Sequence, residues 1–270
     1  MTYARTEDGR NIFYREAGDP KSKDVVVMLQ GLGMSHKFWF GIPDEVATDP
    51  QHPRRVIAID NRGVGQSDAP KGAYTMARFA DDVACVMSDA KVDEATLVGI
   101  SMGGMIAQHV ALRHPKKVKG LVLMATMPGL PHARLPAPKT IATLLKVGAG
   151  RDKSGVGVAS LLLPKGELAR AKEHFAGWQE LMLEKPVSPA AFAGQLAAIL
   201  RHSTGFKLKN VKVPTVVVTG DEDVLVPPKN SHVIAKKIPG AKLEVLEGVG
   251  HGIPMIDKTI VTRALSMIGA

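Results

Sequence analysis

The sequence predicts an α/β domain: a mostly parallel central sheet flanked by helices, interrupted once by a helical insertion. Three observations carry that prediction. Short, mostly apolar runs recur at 25–29, 55–59, 94–100, 118–125 and 214–219, unbroken at 25–29, the pattern of strands buried on both faces. Segments with apolar residues at helical spacing stand between them, such as Phe79, Val83, Val86, Met87 and Ala90. Glycine-bearing loops follow the runs, at the carboxyl edge where such sheets place their sites. A chain of 270 residues, 45% hydrophobic, has room for one such domain with an inserted subdomain.

Taken in order, residues 3–17 read as a hairpin with Asp8-Gly9 as a two-residue turn. The strand at 25–29 runs into Gln30-Gly31-Leu32-Gly33, a loop whose backbone N–H groups can face a cavity. Trp39 is expected to pack the next helix or the pocket floor. After the strand at 55–59, the loop 60–68 offers Arg62 and Asp68 for an ion pair. It lacks the third glycine of a dinucleotide fingerprint, so nucleotide binding is not expected there. The helix at 75–90 has Thr75 as N-cap and carries Cys85 as a buried hydrophobe. The strand at 94–100 leads into a helix at 102–113, closed by His114-Pro115, with His114 as a helix-end residue.

The alternation stops after 118–125, at Pro128, Pro131, Pro136 and Pro138. Helices are expected at 141–145, 158–163, 168–183 and 189–200. This assigns 127–205 to a helical lid, and 1–126 with 206–270 to the core domain. Leu161, Phe175, Trp178, Met182, Phe192 and Leu196 are its packing residues, a few of them pocket-lining; His174 and His202 read as surface or structural. The core resumes with strands at 214–219 and 242–246, a helix at 231–237, and one amphipathic helix over 256–268.

Composition excludes several functions. A net charge of +9 permits weak attraction to anionic surfaces, but the lysines are scattered, and aromatics at 4% argue against base stacking, so no nucleic acid partner is expected. One cysteine allows no disulfide framework. No run reaches membrane-spanning length and residues 1–10 are polar, as for a soluble, cytoplasmic protein. No Cys/His cluster suggests a metal.

The chemistry concentrates at 97–107. Gly99-Ile100-Ser101-Met102-Gly103 between an apolar strand and a helix is a nucleophile elbow, and the bland alternative is a glycine-rich turn that merely contains a serine. Gly99 and Gly103 relieve crowding around a strained Ser101 backbone. The serine hydroxyl then stands at the positive end of the helix, and the Met102 N–H points where an oxyanion would form, with the Leu32 N–H as second donor. The cluster Asp221, Glu222, Asp223 follows the strand at 214–219, and His251 lies in a glycine-bracketed loop after 242–246. The residues alone leave the acid open within 221–223. Nucleophile, acid and histidine stand in the chain order associated with such an elbow.

These loops, with Asp60-Asn61-Arg62-Gly63-Val64-Gly65-Gln66-Ser67-Asp68, make the sequence resemble the α/β-hydrolase fold superfamily over nearly its whole length. It looks most like the lid-bearing esterase, enol-lactonase and cofactor-free haloperoxidase-like group. The resemblance implies Ser101 as nucleophile, His251 as base, Asp223 as orienting acid with Asp221 as fallback, Leu32 and Met102 as oxyanion donors, and no cofactor. It departs at Gln30, where the family usually has histidine; a glutamine amide can also bridge backbone groups, so activity with an altered pocket is expected. A serine nucleophile disfavours epoxide hydrolase and haloalkane dehalogenase reactions. The implied function is hydrolysis of a small to medium carboxylic ester or lactone through an acyl-serine, falling off as the histidine takes up a proton in acid. The alternatives are C–C bond hydrolysis, perhydrolysis or acyl transfer on the same triad, and ligand binding on a hydrolase fold.

Overall fold

The computed structural model describes residues 2–72, 74–152, 155–170, 181 and 184–269. The apolar runs form one eight-stranded sheet: β1 (Thr2–Arg5), β2 (Asn11–Ala17), β3 (Val25–Leu29), β4 (Arg55–Ile59), β5 (Ala95–Ile100), β6 (Val118–Met124), β7 (Thr215–Gly220) and β8 (Lys242–Leu246). The spatial order is β1-β2-β4-β3-β5-β6-β7-β8. β1 with β2 and β2 with β4 are antiparallel, and every later pair is parallel.

The central strands are largely apolar because each face meets its own layer of core. Val25, Val27 and Leu29 of β3, Leu97 of β5 and Leu121 and Leu123 of β6 point to one side. There they meet α2 (Met76–Asp89), α3 (Met102–Arg113) and Ile234 of a later helix. The alternate residues Val26, Met28, Val98, Val122 and Met124 meet Trp39, α1 (Ile42–Ala47) and the last helix on the other side. Trp39 thus packs the helix that follows it. Each such fully buried aliphatic contributes about 1.5–3 kcal/mol.

Between β6 and β7 the chain forms α4 (Pro138–Gly148), α5 (Val156–Leu162), a 3-10 turn (Lys165–Arg170) and α6 (Pro189–Leu200). Most of the helix expected at 168–183 lies outside the described residues, and so do His174, Phe175, Trp178 and Met182. The chain continues with α7 (Lys229–Lys237), β8, α8 (Ile253–Ile256) and α9 (Ile260–Ile268). Caps follow the sequence: the Thr75 hydroxyl accepts from the Arg78 N–H and the Ser188 hydroxyl from the Ala191 N–H. No helix among the described residues is long and apolar enough to cross a membrane.

Four local expectations are corrected. The Asp8-Gly9 hairpin does not use a two-residue turn. Thr6 and Arg10 remain paired, the Gly9 N–H bonds the Thr6 carbonyl, and Gly9 sits at φ +75°, so the loop has three residues, with Thr6 and Asp8 side chains bonded inside it. Arg62 does not pair with Asp68; buried, it binds Asp8 and Asp82, while Asp68 accepts from the Asn11 N–H. Cys85 is half-buried, its thiol directed at the Arg5 carbonyl. The final amphipathic helix is broken at Asp257, whose carboxylate accepts from the Thr259 N–H and hydroxyl and so competes with the helical ladder.

Candidate active site

Ser101 sits between β5 and α3 at φ 55°, ψ −118°, a combination normally closed to a residue with a side chain and costing about 1–3 kcal/mol. Four hydrogen bonds hold it. Its N–H donates to the Met124 carbonyl (2.9 Å), and its carbonyl accepts from the N–H groups of Gly104 (3.0 Å) and Met105 (3.2 Å) and from the Thr126 hydroxyl (2.8 Å). The flanking glycines are sterically required. A Cβ on Gly103 would lie 2.0 Å from the Leu29 carbonyl oxygen, and one on Gly99 2.4 Å from that of Gly103. Met102 begins α3, where an N–H has no intrahelical acceptor and the helix dipole favours negative charge.

The loop after β3 passes directly over the serine: a Cβ on Gly31 would stand 3.3 Å from Ser101 Cβ and 3.7 Å from its Oγ. The loop is a turn closed from the Met34 N–H to the Gly31 carbonyl (3.3 Å), and the turn's own bond leaves the Leu32 N–H unused. Gln30 braces it as its chemistry allows. Its amide donates to the Phe38 carbonyl (3.0 Å), its amide oxygen accepts from the Gly31 N–H (3.1 Å), and its backbone carbonyl accepts from the Asn61 side chain (3.0 Å). A second amide does the same from a distance. Gln195 of α6, fully buried, accepts from the Gly33 N–H (2.8 Å) and donates to the Arg62 carbonyl (2.9 Å).

Of the three acids after β7, only Asp223 meets the histidine. Asp223 Oδ2 lies 2.8 Å from His251 Nδ1, both groups buried, and Oδ1 accepts from the N–H groups of Leu225 (2.9 Å) and Val226 (2.7 Å). An Nδ1–H donated to the carboxylate leaves Nε2 as the basic nitrogen of the ring. Asp221 instead accepts from the Gly248 N–H (2.8 Å), tying the acid loop to the histidine loop, and Glu222 is exposed. The Gly252 N–H, next to His251, donates to the Leu162 carbonyl at the end of α5 (2.8 Å).

Ser101 and His251 line one cavity of about 250 Å³, with Leu32 on its wall. Apart from Gln30 the rest of the lining is apolar, much of it from the segment between β6 and β7: Leu135, Ile141, Leu144, Leu161, Phe192 and Leu196. Among the described residues, no group of three or more His, Cys, Asp and Glu side chains is placed to hold a metal ion.

Two buried polar systems support this edge of the sheet. Arg62 joins Asp82 (2.6 Å) and Asp8 (2.8 Å). Its hydrogen bonds hold the Asp8 carboxyl well below the usual range, whereas burial pushes Asp82 up. His202 contacts the Met127 carbonyl through Nε2 (2.9 Å) and His109 Nε2 through Nδ1 (3.2 Å). Burial lowers both rings, His109 to about 3 and His202 to about 4. His202 is therefore structural, as expected, and His114 ends α3 against Asp81 (2.8 Å). Sequence reasoning missed Thr126, Asn61 and Gln195. Only Gln195 had a signal, being the one amide in the otherwise apolar stretch from Pro189 to Leu200.

Known proteins resemble this chain in sequence and in fold. The non-heme chloroperoxidase CPO-A1 of Kitasatospora aureofaciens is 29% identical, covering 98% of each chain. Among solved structures, the esterase RhEst1 from Rhodococcus sp. ECU1013 is 25% identical with a TM-score of 0.82, covering 100% of this chain and 98% of its own. Est816, described as an N-acyl homoserine lactone degrading enzyme, is 28% identical with a TM-score of 0.81, covering 98% of this chain and 99% of its own. The family model described as the alpha/beta hydrolase fold matches residues 24–257, nearly the whole site-bearing chain. The chain belongs to the α/β-hydrolase fold family.

Proposed function

We propose that this hydrolase cleaves carboxylic esters or lactones of small to medium, apolar substrates through an acyl-Ser101 intermediate. The observation that carries the reading is the His251–Asp223 contact of 2.8 Å, opening on the same apolar cavity as a serine at φ 55°. A free serine hydroxyl is a poor nucleophile. In this reading, His251 Nε2 takes its proton as Oγ attacks the acyl carbon, and Asp223 holds the ring's tautomer and stabilises the imidazolium. The Leu32 and Met102 N–H groups bind the oxyanion, each worth about 2.7–4 kcal/mol by analogy with a measured donor. The alcohol leaves with the proton from His251. A water deprotonated by His251 then attacks the acyl-serine, which collapses to acid and free Ser101.

Residues 127–205 act as the lid, supplying the apolar wall that selects the acyl group. The lactone-degrading activity ascribed to Est816 and the esterase RhEst1 fit this substrate class. A second outcome is favoured by the chloroperoxidase relative: hydrogen peroxide in place of water would release a peracid from the same acyl-serine.

The test is hydrolysis of p-nitrophenyl esters from acetate to long acyl chains by wild-type and Ser101→Ala protein, with a serine-directed phosphonate as label. Turnover and labelling that vanish in the variant support the reading. Turnover that survives Ser101→Ala rejects it, and a wild-type protein that neither turns over nor labels moves the assignment to ligand binding.

A further inference from the structure

The mouth of the cavity has a composition the hydrolytic reading does not use. Leu135, Ile141 and Leu200 line the cavity and are also 51, 38 and 69% exposed, so the pocket's apolar wall continues outward onto the surface. Leu145, one turn beyond Ile141 on α4, is 49% exposed, and α4 buries none of its residues although it carries Ile141, Leu144, Leu145 and Val147. An apolar rim of this kind marks an interaction surface.

On the two stretches that carry these residues, 127–152 and 189–205, the charges are nearly all of one sign. From 127 to 152 the chain holds Arg134, Lys139, Lys146 and Arg151 against a single acid, Asp152, and 189–205 adds Arg201 with no acid. All five basic residues are exposed, and among the described residues none forms an ion pair. Asp152 is already engaged, accepting from the Val158 N–H at 2.9 Å. Exposed apolar side chains among unpaired basic groups, on a short helix and the chain that flanks it, are the chemistry of a surface lying in a lipid interface, apolar side chains among the acyl chains and cations at the headgroups.

We propose that the face carrying α4 and the cavity mouth docks on anionic lipid surfaces. The leucine rim meets the acyl region, the five cations meet phosphate-bearing headgroups, and the cavity opens directly onto the layer where apolar esters dissolve. The docking does not depend on Ser101 chemistry, so it stands or falls separately from the proposed activity.

Cosedimentation tests it, with vesicles of phosphatidylcholine alone and of phosphatidylcholine mixed with phosphatidylglycerol. The wild-type protein is expected to pellet with the mixed vesicles only, and to be released by salt. Lys139→Glu/Lys146→Glu lowers the partition coefficient by about thirtyfold or more, the scale set by two basic groups near an anionic surface. Leu145→Gln weakens it further, and neither variant changes turnover of soluble p-nitrophenyl acetate. Lys236→Glu/Lys237→Glu, at the end of α7 nearest β8's start and so at the opposite edge of the sheet, retains binding. Three outcomes overturn the proposal: no binding to mixed vesicles at low salt, equal loss in the α7 variant, which reduces the effect to net charge, or a solution dimer that Leu145→Gln dissociates, which gives the face to a second copy of the chain.

Discussion

Gln195→Met should damage turnover more than binding. The substitution keeps the side chain's length and apolar body and removes both polar atoms. Two hydrogen bonds disappear, to the Gly33 N–H and the Arg62 carbonyl. Arg62 is 3% exposed and Gln195 fully buried, so water cannot replace the lost amide at the carbonyl without opening the packing. Two net hydrogen bonds at about 0.5–1.5 kcal/mol each, plus about 1–3 kcal/mol for an acceptor left unsatisfied, give an expected loss of about 2–6 kcal/mol. Urea unfolding at neutral pH reads that loss as a lower midpoint. The catalytic consequence comes from Gly33 being next to Leu32, the candidate oxyanion donor: once the turn is free to shift, kcat for a p-nitrophenyl ester falls about tenfold or more while KM changes little. Gln195→Glu separates the two bonds. Its carboxylate still accepts from Gly33 but repels the Arg62 carbonyl, so stability falls while much of the kcat is retained. A Gln195→Met protein with wild-type kcat, or one that loses only KM, would refute the positioning argument.

Other perturbations act on separate parts of the site. Gln30→Ala removes the bonds to the Phe38 carbonyl and from the Gly31 N–H together, and should lower kcat at least tenfold, whereas Gln30→His keeps part of the brace and most of the activity, both read by ester hydrolysis. Asp223→Asn should cost about 10⁴ in kcat if it plays the orienting role, while Asp221→Asn, outside that contact, leaves kcat near wild type. Arg62→Met leaves the Asp82 carboxylate buried without its cation and should cost about 3–5 kcal/mol in urea unfolding. The His109–His202 pair makes the fold acid-labile. Both rings titrate below their unfolded range, so their stability contribution is fully present above pH ~6.5 and is lost as pH falls toward about 4 and 3, at roughly 1.4 kcal/mol per pH unit for each ring. A His109→Leu/His202→Met variant should show a much flatter urea midpoint between pH 7 and pH 5, and an unchanged slope would remove the pair as the cause.

The parts of this molecule legible in the sequence are those set by local steric or apolar necessity. β3, β4 and β5 are buried on both faces, so their runs are apolar but for Arg55 and Thr96 and could be read directly. The elbow was legible because only glycine fits where Gly103 passes the Leu29 carbonyl. The residues alone left the acid open within 221–223 and only the family resemblance preferred Asp223 over Asp221; the structure shows how they differ, one carboxylate reaching His251 and the other accepting from the Gly248 N–H. What stayed hidden depends on partners far away in the chain. Arg62 could not be assigned to Asp8 and Asp82 rather than Asp68, because its partners are set by how β1, β2 and α2 pack, not by spacing within the loop. The same holds for Gln195, whose acceptor and donor partners lie more than 130 residues upstream.

Those long-range bonds give the segment between β6 and β7 a different physical character from a loose cover. α6 is tied to the Gly33 turn through Gln195, and the end of α5 is tied beside His251 through the Leu162 carbonyl and the Gly252 N–H. Between these ties lies an apolar contact set: Phe38 from the loop after β3, Val158, Leu161 and Leu162 from α5, with Leu144, Leu225 and Met255 packed against them. Substitutions in this segment should therefore act on two quantities at once, the shape of the acyl wall and the register of the two loops beneath it. Cavity-lining side chains outside the two ties, such as Leu196, should change which ester is preferred, whereas groups in the ties should change how well any ester is turned over. A Leu196→Ala variant accordingly shifts the chain-length optimum toward longer acyl groups with kcat on the best substrate retained, and a loss of kcat across the whole ester panel would show that the wall and the ties are not separable.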